Sequence, residues 1–248
     1  MKIAVIVSQT PDTTTKMVIA SDGKSIDDTG ITWILNPYAE FAIEKALKLK
    51  EANDAKVEEI ILVAMGPDRT VEALRQGLAM GADRAVLIKS SITNTQTIAD
   101  KIKELGCELV LGGKKSIDTE SSWTEAGVAA LNDLAFIHTA NKLEWSGDEI
   151  LASREVSGEQ QSFKVSLPAL ITCDKGVDEP RYASIMGIMK AKKKPLDEEA
   201  SSAEDNIGIE IIDASLPPAR QGVKIFEGTA DETAEQLLKA LREEAKVL

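Results

Sequence analysis

The chain has 248 residues, of which 43% are apolar, 28% charged and only 4% aromatic. That is the balance of a soluble globular protein with room for one large α/β domain plus appendages. With 29 basic against 41 acidic residues the net charge is −12, a field that repels phosphate backbones and excludes a general nucleic-acid binder. The two cysteines, Cys107 and Cys173, lie in or beside apolar runs and form no CxxC pair, which argues against a disulfide framework or a zinc site.

The opening run KIAVIV reads as a strand buried on both faces. It is too short for a signal-peptide core, and no apolar run reaches the length of a membrane span. A cytoplasmic protein is the expectation. Residues 12–35 are polar, with the turn signal SDGK, and predict a small hairpin or excursion. A helix is expected from Asn36, which suits an N-cap, and Pro37, which suits the first helical position. Tyr38, Phe41, Ala42, Ala46 and Leu49 share one face of it, while Glu44 and Lys48 are expected to pair on the other. Strands follow at 58–65, 85–88 and 107–113, alternating with helices that end at Gly81, cover 95–105 and begin near Thr119. AFIHTA at 135–140 reads as a further strand. This β-α alternation with short connections implies a doubly wound, mostly parallel sheet.

After residue 140 consecutive strands joined by SGDE and SGEQ turns predict antiparallel strands at 141–174, extending the sheet or forming a flap beside it. Residues 178–223 show no regular period, and seven acidic residues (197, 198, 199, 204, 205, 210 and 213) fall between 197 and 213 without a basic one. Residues 231–247 close the chain as an amphipathic helix with Ala234, Leu237, Leu238 and Leu241 in phase.

Open parallel sheets bind ligands at the carboxyl ends of their strands, where strand order reverses. Those ends are Val7–Ser8, Ala64-Met65-Gly66 and Leu111-Gly112-Gly113, and GGKKSIDTESSWT offers glycines, two lysines and hydroxyls beside a helix N-terminus. A tight turn with solvated lysines explains that loop as well. Neither a GxGxxG after the first strand nor a P-loop is present. The single histidine, His138, lies on an expected strand, and no nucleophile or acid–base constellation stands out among Asp12, Glu40, Glu44 and Asp118. A binding or carrier role is the expectation.

Four blocks, NPYAEFAIEKALKLKE, AMGPDRTVEALRQGLAMGADRAVLI, LVLGGKKSID and SLPALITCDKGVDEPRYASIMGIMKAKKKPL, resemble the β subunit of electron transfer flavoprotein, in family order and spacing across nearly the whole chain. The resemblance implies an adenine-nucleotide α-hydrolase-like fold, with a nucleotide-binding domain over 1–177, a recognition loop over 178–196 and an arm and helix over 197–248 that pack on an α subunit. It implies an AMP of structural role in this subunit and an FAD held mainly by the α subunit. An acyl-CoA dehydrogenase or similar flavoenzyme would be the electron donor and a quinone oxidoreductase the acceptor, with no catalytic site in this chain.

By the same resemblance the AMP contacts fall at Ile6, at Asn36, Pro37, Tyr38 and Ala39, at Met65, and along the loop of Gly113, Lys114, Lys115, Ser116, Ile117, Asp118, Thr119, Glu120, Ser121, Ser122, Trp123 and Thr124. Glu155 matches a glutamate that meets an arginine of the α subunit; an exposed strand carboxylate is the plainer reading. Ile185 matches an apolar anchor that enters a pocket on the dehydrogenase. Tyr182, Met186, Met189, Lys190, Lys192, Lys193 and Lys194 accompany it on the docking surface. The loop departs from the family pattern: Trp123 replaces a smaller polar residue and Glu125 a glycine, which alters the phosphate end. Two alternatives remain open: an electron-bifurcating subunit with a second FAD and NADH, and an ATP-using enzyme or stress protein of the same class.

Overall fold

A computed structural model describes residues 1–53, 55–201, 211–219 and 222–248. Two units are described separately: the larger from Met1–Lys16 and Asp28–Glu210, the smaller from Met17–Asp27 and Ile211–Leu248.

In the larger unit β1 (Lys2–Ile6) is followed by β2 (Gln9–Pro11) and β3 (Trp33–Leu35), which pair antiparallel as the expected small excursion. Then α1 (Pro37–Ala52), β4 (Glu59–Gly66), α2 (Thr70–Met80), β5 (Arg84–Lys89), α3 (Thr95–Leu105), β6 (Leu109–Gly113), α4 (Trp123–Leu131) and β7 (Ala135–Ala140) alternate as the apolar periodicity predicts. Three strands follow, β8 (Lys142–Ser146), β9 (Glu149–Val156) and β10 (Glu159–Val165), and then β11 (Ala169–Cys173), α5 (Ile185–Ala191) and β12 (Leu196–Ala200). The main sheet runs β12-β5-β4-β1-β6-β11-β7, every pair parallel.

Alternation along β1 divides the core. Ile3 and Val5 join the cluster that includes Ile43 of α1 and Leu74 and Leu78 of α2. Ala4 and Ile6 join the cluster with Ile98 and Ile102 of α3 and Val128 of α4. Both faces are covered by helices, as an all-parallel sheet requires.

Three expectations change here. First, β8, β9 and β10 form their own antiparallel sheet, whereas β11, expected to be antiparallel, returns between β6 and β7 as a parallel strand. All five residues of β11, ALITC, are buried, so its place is the sheet interior. Secondly, the 178–223 stretch is not aperiodic throughout, since it contains α5 and β12. The acidic strand β12 holds its edge position because Asp197, Glu198 and Glu199 meet Arg84, Lys89 and Lys101 at 3.5, 2.7 and 2.6 Å. Glu204, Asp205 and Glu210 of that acidic run lie outside the described residues. Thirdly, Glu44 does not pair with Lys48 on a wet face. It is 1% exposed and bonded to Arg181, while Lys48 lies 3.6 Å from Glu51.

In the smaller unit α6 (Ala230–Lys239) starts from a capping box of Thr229 and Glu232 and passes into a π-helical turn, Ala240–Glu244. Leu237 and Leu238 are exposed there, as are Val223, Ile225 and Ile212. Among the described residues no helix is long and apolar enough to cross a membrane.

Candidate functional site

Strand order reverses at β1, which has β4 on one side and β6 on the other, and a cavity of about 580 Å³ opens at the carboxyl ends of these strands. Ile6 and Met65 give it apolar wall. Asn36 ties the floor together: its N–H bonds Ser8 O at 3.0 Å, its side-chain amide bonds Lys115 O at 3.0 Å, and its side-chain oxygen caps α1 at Tyr38 N.

Of the residues singled out in sequence, Ile6, Asn36, Met65, Ser116, Asp118, Thr119, Ser121, Ser122, Trp123 and Thr124 line this cavity. Pro37, Tyr38, Ala39, Gly113, Lys114, Lys115, Ile117 and Glu120 do not line it. Gly113 backs onto α1, where a β-carbon would fall 2.7 Å from Tyr38 Cβ. The two lysines expected to supply charge are committed elsewhere: Lys114 meets Asp174 at 2.8 Å and Lys115 meets Glu120 at 2.5 Å. Each ammonium is neutralised by an acid that does not line the cavity.

Other lining residues were not foreseen. Gln9, Arg69, Ser91 and Thr93 border the space, beside Glu125, which the sequence had marked as a departure from the family loop, and the Arg69 guanidinium stacks 3.7 Å from the Trp33 ring centroid. Gln9 donates its amide to Arg69 O at 3.0 Å, while its side-chain oxygen is buried with no partner in the protein. A lone Gln after a strand carries no sequence signal; only the β2–β3 pairing puts it at the cavity.

The loop entering α4 is strained toward the cavity. Glu120 and Ser122 take positive φ, 53° and 49°. Ser122 occupies the N-cap position but makes no side-chain cap bond, so the first-turn N–H groups of α4 lack the usual hydroxyl acceptor. The Glu125 side chain lies across β6, where a β-carbon on Gly112 would meet its Cγ at 2.6 Å. Burial lifts the Glu125 carboxyl to about 7, against a smaller opposing effect of its own N–H.

A second feature is α5. Tyr182, Ile185, Met186 and Met189 are 99%, 80%, 67% and 66% exposed, a concentration of bare apolar surface rare on a monomer. Its flanks are held firmly. Arg181 donates two side-chain bonds to Glu44 at 2.7 and 2.8 Å and one to Glu51 at 2.7 Å, and Asp178 accepts from buried Lys45 at 2.8 Å. On the far side Arg75 donates to Ala191 O and Lys194 O at 2.6 and 2.8 Å. Lys190, Lys192 and Lys193 are exposed. Lys194 instead turns inward to Leu78 O and Ala82 O at 3.0 and 2.6 Å, so its ammonium finishes α2 and is not presented to a partner.

His138 is half-buried on β7, its Nδ1 3.0 Å from Thr172 Oγ1, and burial lowers its pKa. Cys107 and Cys173 are buried thiols raised to about 11 and about 12 by desolvation, which makes them inert at neutral pH. Among the described residues no cluster of His, Cys, Asp and Glu is arranged to hold a metal.

A family model described as electron transfer flavoprotein domain matches residues 24–204. The chain is 38% identical to the electron transfer flavoprotein subunit beta of Bacillus subtilis, with the whole of both chains covered. The chain belongs to the electron transfer flavoprotein family, among its beta subunits. It is also 38% identical to the subunit beta of Syntrophomonas wolfei, covering 100% of this chain and 98% of the relative. Identity to the mitochondrial subunit beta of Arabidopsis thaliana is 36% over the whole of both. In this electron transfer flavoprotein beta subunit the parallel-sheet cavity and the exposed α5 both lie in the larger unit. Glu155, on β9, is exposed.

Proposed function

We propose that this beta subunit pairs with an alpha subunit, holds an adenine nucleotide in the strand-end cavity as a structural ligand, and presents α5 to a partner dehydrogenase. The observation that carries this reading is α5 itself: an apolar face left bare yet clamped at both flanks by Arg181, Lys45 and Arg75. A surface of that kind is preorganised for docking, because little ordering entropy remains to be lost on contact. Ile185 is the anchor, and Lys190, Lys192 and Lys193 steer acidic partner surfaces at low salt.

The cavity suits the adenosine part of AMP. Its volume lies in the range of small-ligand sites, Ile6 and Met65 offer apolar contact to a base, and the unpartnered Gln9 oxygen accepts from a ligand N–H or O–H. Ser121, Ser122 and Thr124 would hold the phosphate end with the α4 N–H groups. The redox chemistry belongs to an FAD held mainly by the alpha subunit, with electrons arriving from an acyl-CoA dehydrogenase or similar flavoenzyme and leaving to a quinone oxidoreductase. This chain has the part of scaffold and docking surface, with no catalytic site of its own and no membrane insertion, in a cytoplasmic setting. Glu155 faces the alpha subunit; residues 197–200, first assigned to the arm, belong to the edge strand β12, so the arm that packs on that subunit begins beyond β12.

Ile185→Ala tests the docking role. The alanine variant should reduce flavin in the heterodimer about tenfold more slowly with the partner dehydrogenase, as loss of one apolar anchor of about 1–2 kcal/mol implies, with flavin content unchanged. Wild-type kinetics in that variant would remove α5 from the reading.

A further inference from the structure

The phosphate end of the cavity contains an acid that the scaffold reading does not use. Glu125 stands in the first turn of α4, where backbone N–H groups attract anions. Its side chain does not close a capping box on Ser122; it folds over β6 against Gly112 and accepts from its own backbone N–H. The carboxylate therefore takes up one of the N–H donors that a phosphate at this terminus would need.

The charges bordering it offer no relief. On the β4–α2 side Arg69, stacked on Trp33, is the only cation lining the cavity among the described residues. The loop after β6 contributes Asp118, which accepts from Ser116 Oγ and Thr119 N, while Lys114 and Lys115 are turned to Asp174 and Glu120. The β5–α3 segment lining the cavity supplies Ser91, Ile92, Thr93 and Thr95, none charged. An ionised Glu125 and a phosphate dianion would share one helix terminus with no cation between them.

We propose that Glu125 sets the ligand selectivity of the cavity: with its carboxylate ionised the site favours the adenine nucleoside over the monophosphate, and with it neutral the site accepts AMP. This rests on the adenine-ligand reading above. The carboxyl, raised by burial to about 7, changes state within the physiological range. A protonated carboxyl donates to a phosphate oxygen, whereas the ionised form can only repel it.

The test is calorimetric titration of the full-length chain, dialysed free of adenine compounds, with adenosine and with AMP at pH 6 and pH 8. The wild type, Glu125→Gln and Glu125→Ala are compared. If only the neutral form takes AMP, wild-type affinity for AMP falls about tenfold from pH 6 to pH 8 relative to the glutamine variant. The phosphate's own ionisation is common to both and cancels in the ratio. At pH 8 both variants bind AMP at least tenfold more tightly than wild type. Adenosine affinity, which also reports folding of the variants, stays within about twofold throughout. Equal AMP affinity in wild type and both variants at pH 8, with adenosine still bound, overturns the role of Glu125 and leaves the adenine site standing. Failure of all three proteins to bind either ligand at either pH overturns the adenine site and this inference together.

Discussion

Arg181→Gln is expected to destabilise the chain by about 2–3 kcal/mol and to blunt electron delivery by the partner dehydrogenase. The Glu44 side chain is 2% exposed and its charge is matched by Arg181, whose Nε and Nη2 reach it at 2.7 and 2.8 Å. Removing one partner of a buried pair costs about 3–5 kcal/mol because the other is left as an uncompensated charge. The figure is lower here because the Arg181 side chain is itself 34% exposed and its backbone N–H still reaches Glu44 at 3.1 Å. Urea unfolding with the cycle of Arg181→Gln, Glu44→Gln and the double variant isolates the pair, and the double variant should recover much of the loss. A single-variant change below about 0.5 kcal/mol, the ordinary surface value, would mean that Glu44 keeps its hydration. The functional loss follows from place, since Arg181 directly precedes Tyr182 and sets where the α5 segment leaves the body of the sheet.

Glu125→Gln is expected to stabilise the chain at pH 8 by about 2 kcal/mol and to lose that advantage by pH 4, where the cost of burying the amide leaves it no more stable than the wild type. Burial raises this carboxyl in the folded chain from 4.5 to about 7. Below 4.5 folded and unfolded chains both hold the proton, so no cost arises. Between 4.5 and 7 the unfolded chain releases it first, and folded stability falls by about 1.4 kcal/mol per pH unit. Above 7 both are ionised and the cost stays constant. The glutamine amide also loses water on burial, which takes back part of the gain. Unfolding of wild type and variant at pH 5 and pH 8, without added nucleotide, reads the difference. A gap that does not widen with pH would place the Glu125 carboxylate in water.

Much of the fold was legible because apolar period and punctuation agree. Residues 95–105 repeat Ile98 and Ile102 at helical spacing and stop at Gly106, and α3 has those limits. Asn36-Pro37 marked the start of α1 through local chemistry alone. What stayed hidden depended on partners distant in sequence. Glu44 looked like a surface acid because Arg181 lies 137 residues away. The edge strand β12, LDEEA, carries no strand pattern of its own and is held by cations of β5 and α3. The ALITC run announced a strand but not its direction, which depends on the free slot between β6 and β7. In the cavity, the loop 112–124 was identified from its glycines and hydroxyls, whereas Gln9 and Arg69 arrive through the β2–β3 excursion and the β4–α2 turn. Lys114 and Lys115 misled because charge in a sequence says nothing of which acid stands closer in space.

The central claim is that this chain is the adenine-holding, docking subunit of a flavin-bearing pair. The most direct measurement is the cofactor content of the chain co-expressed with an alpha subunit, purified at pH 6 and denatured for chromatography. The account predicts one FAD and one non-flavin adenine compound per heterodimer. Two flavins per heterodimer, or an adenine site that stays empty while the flavin is retained, would contradict it.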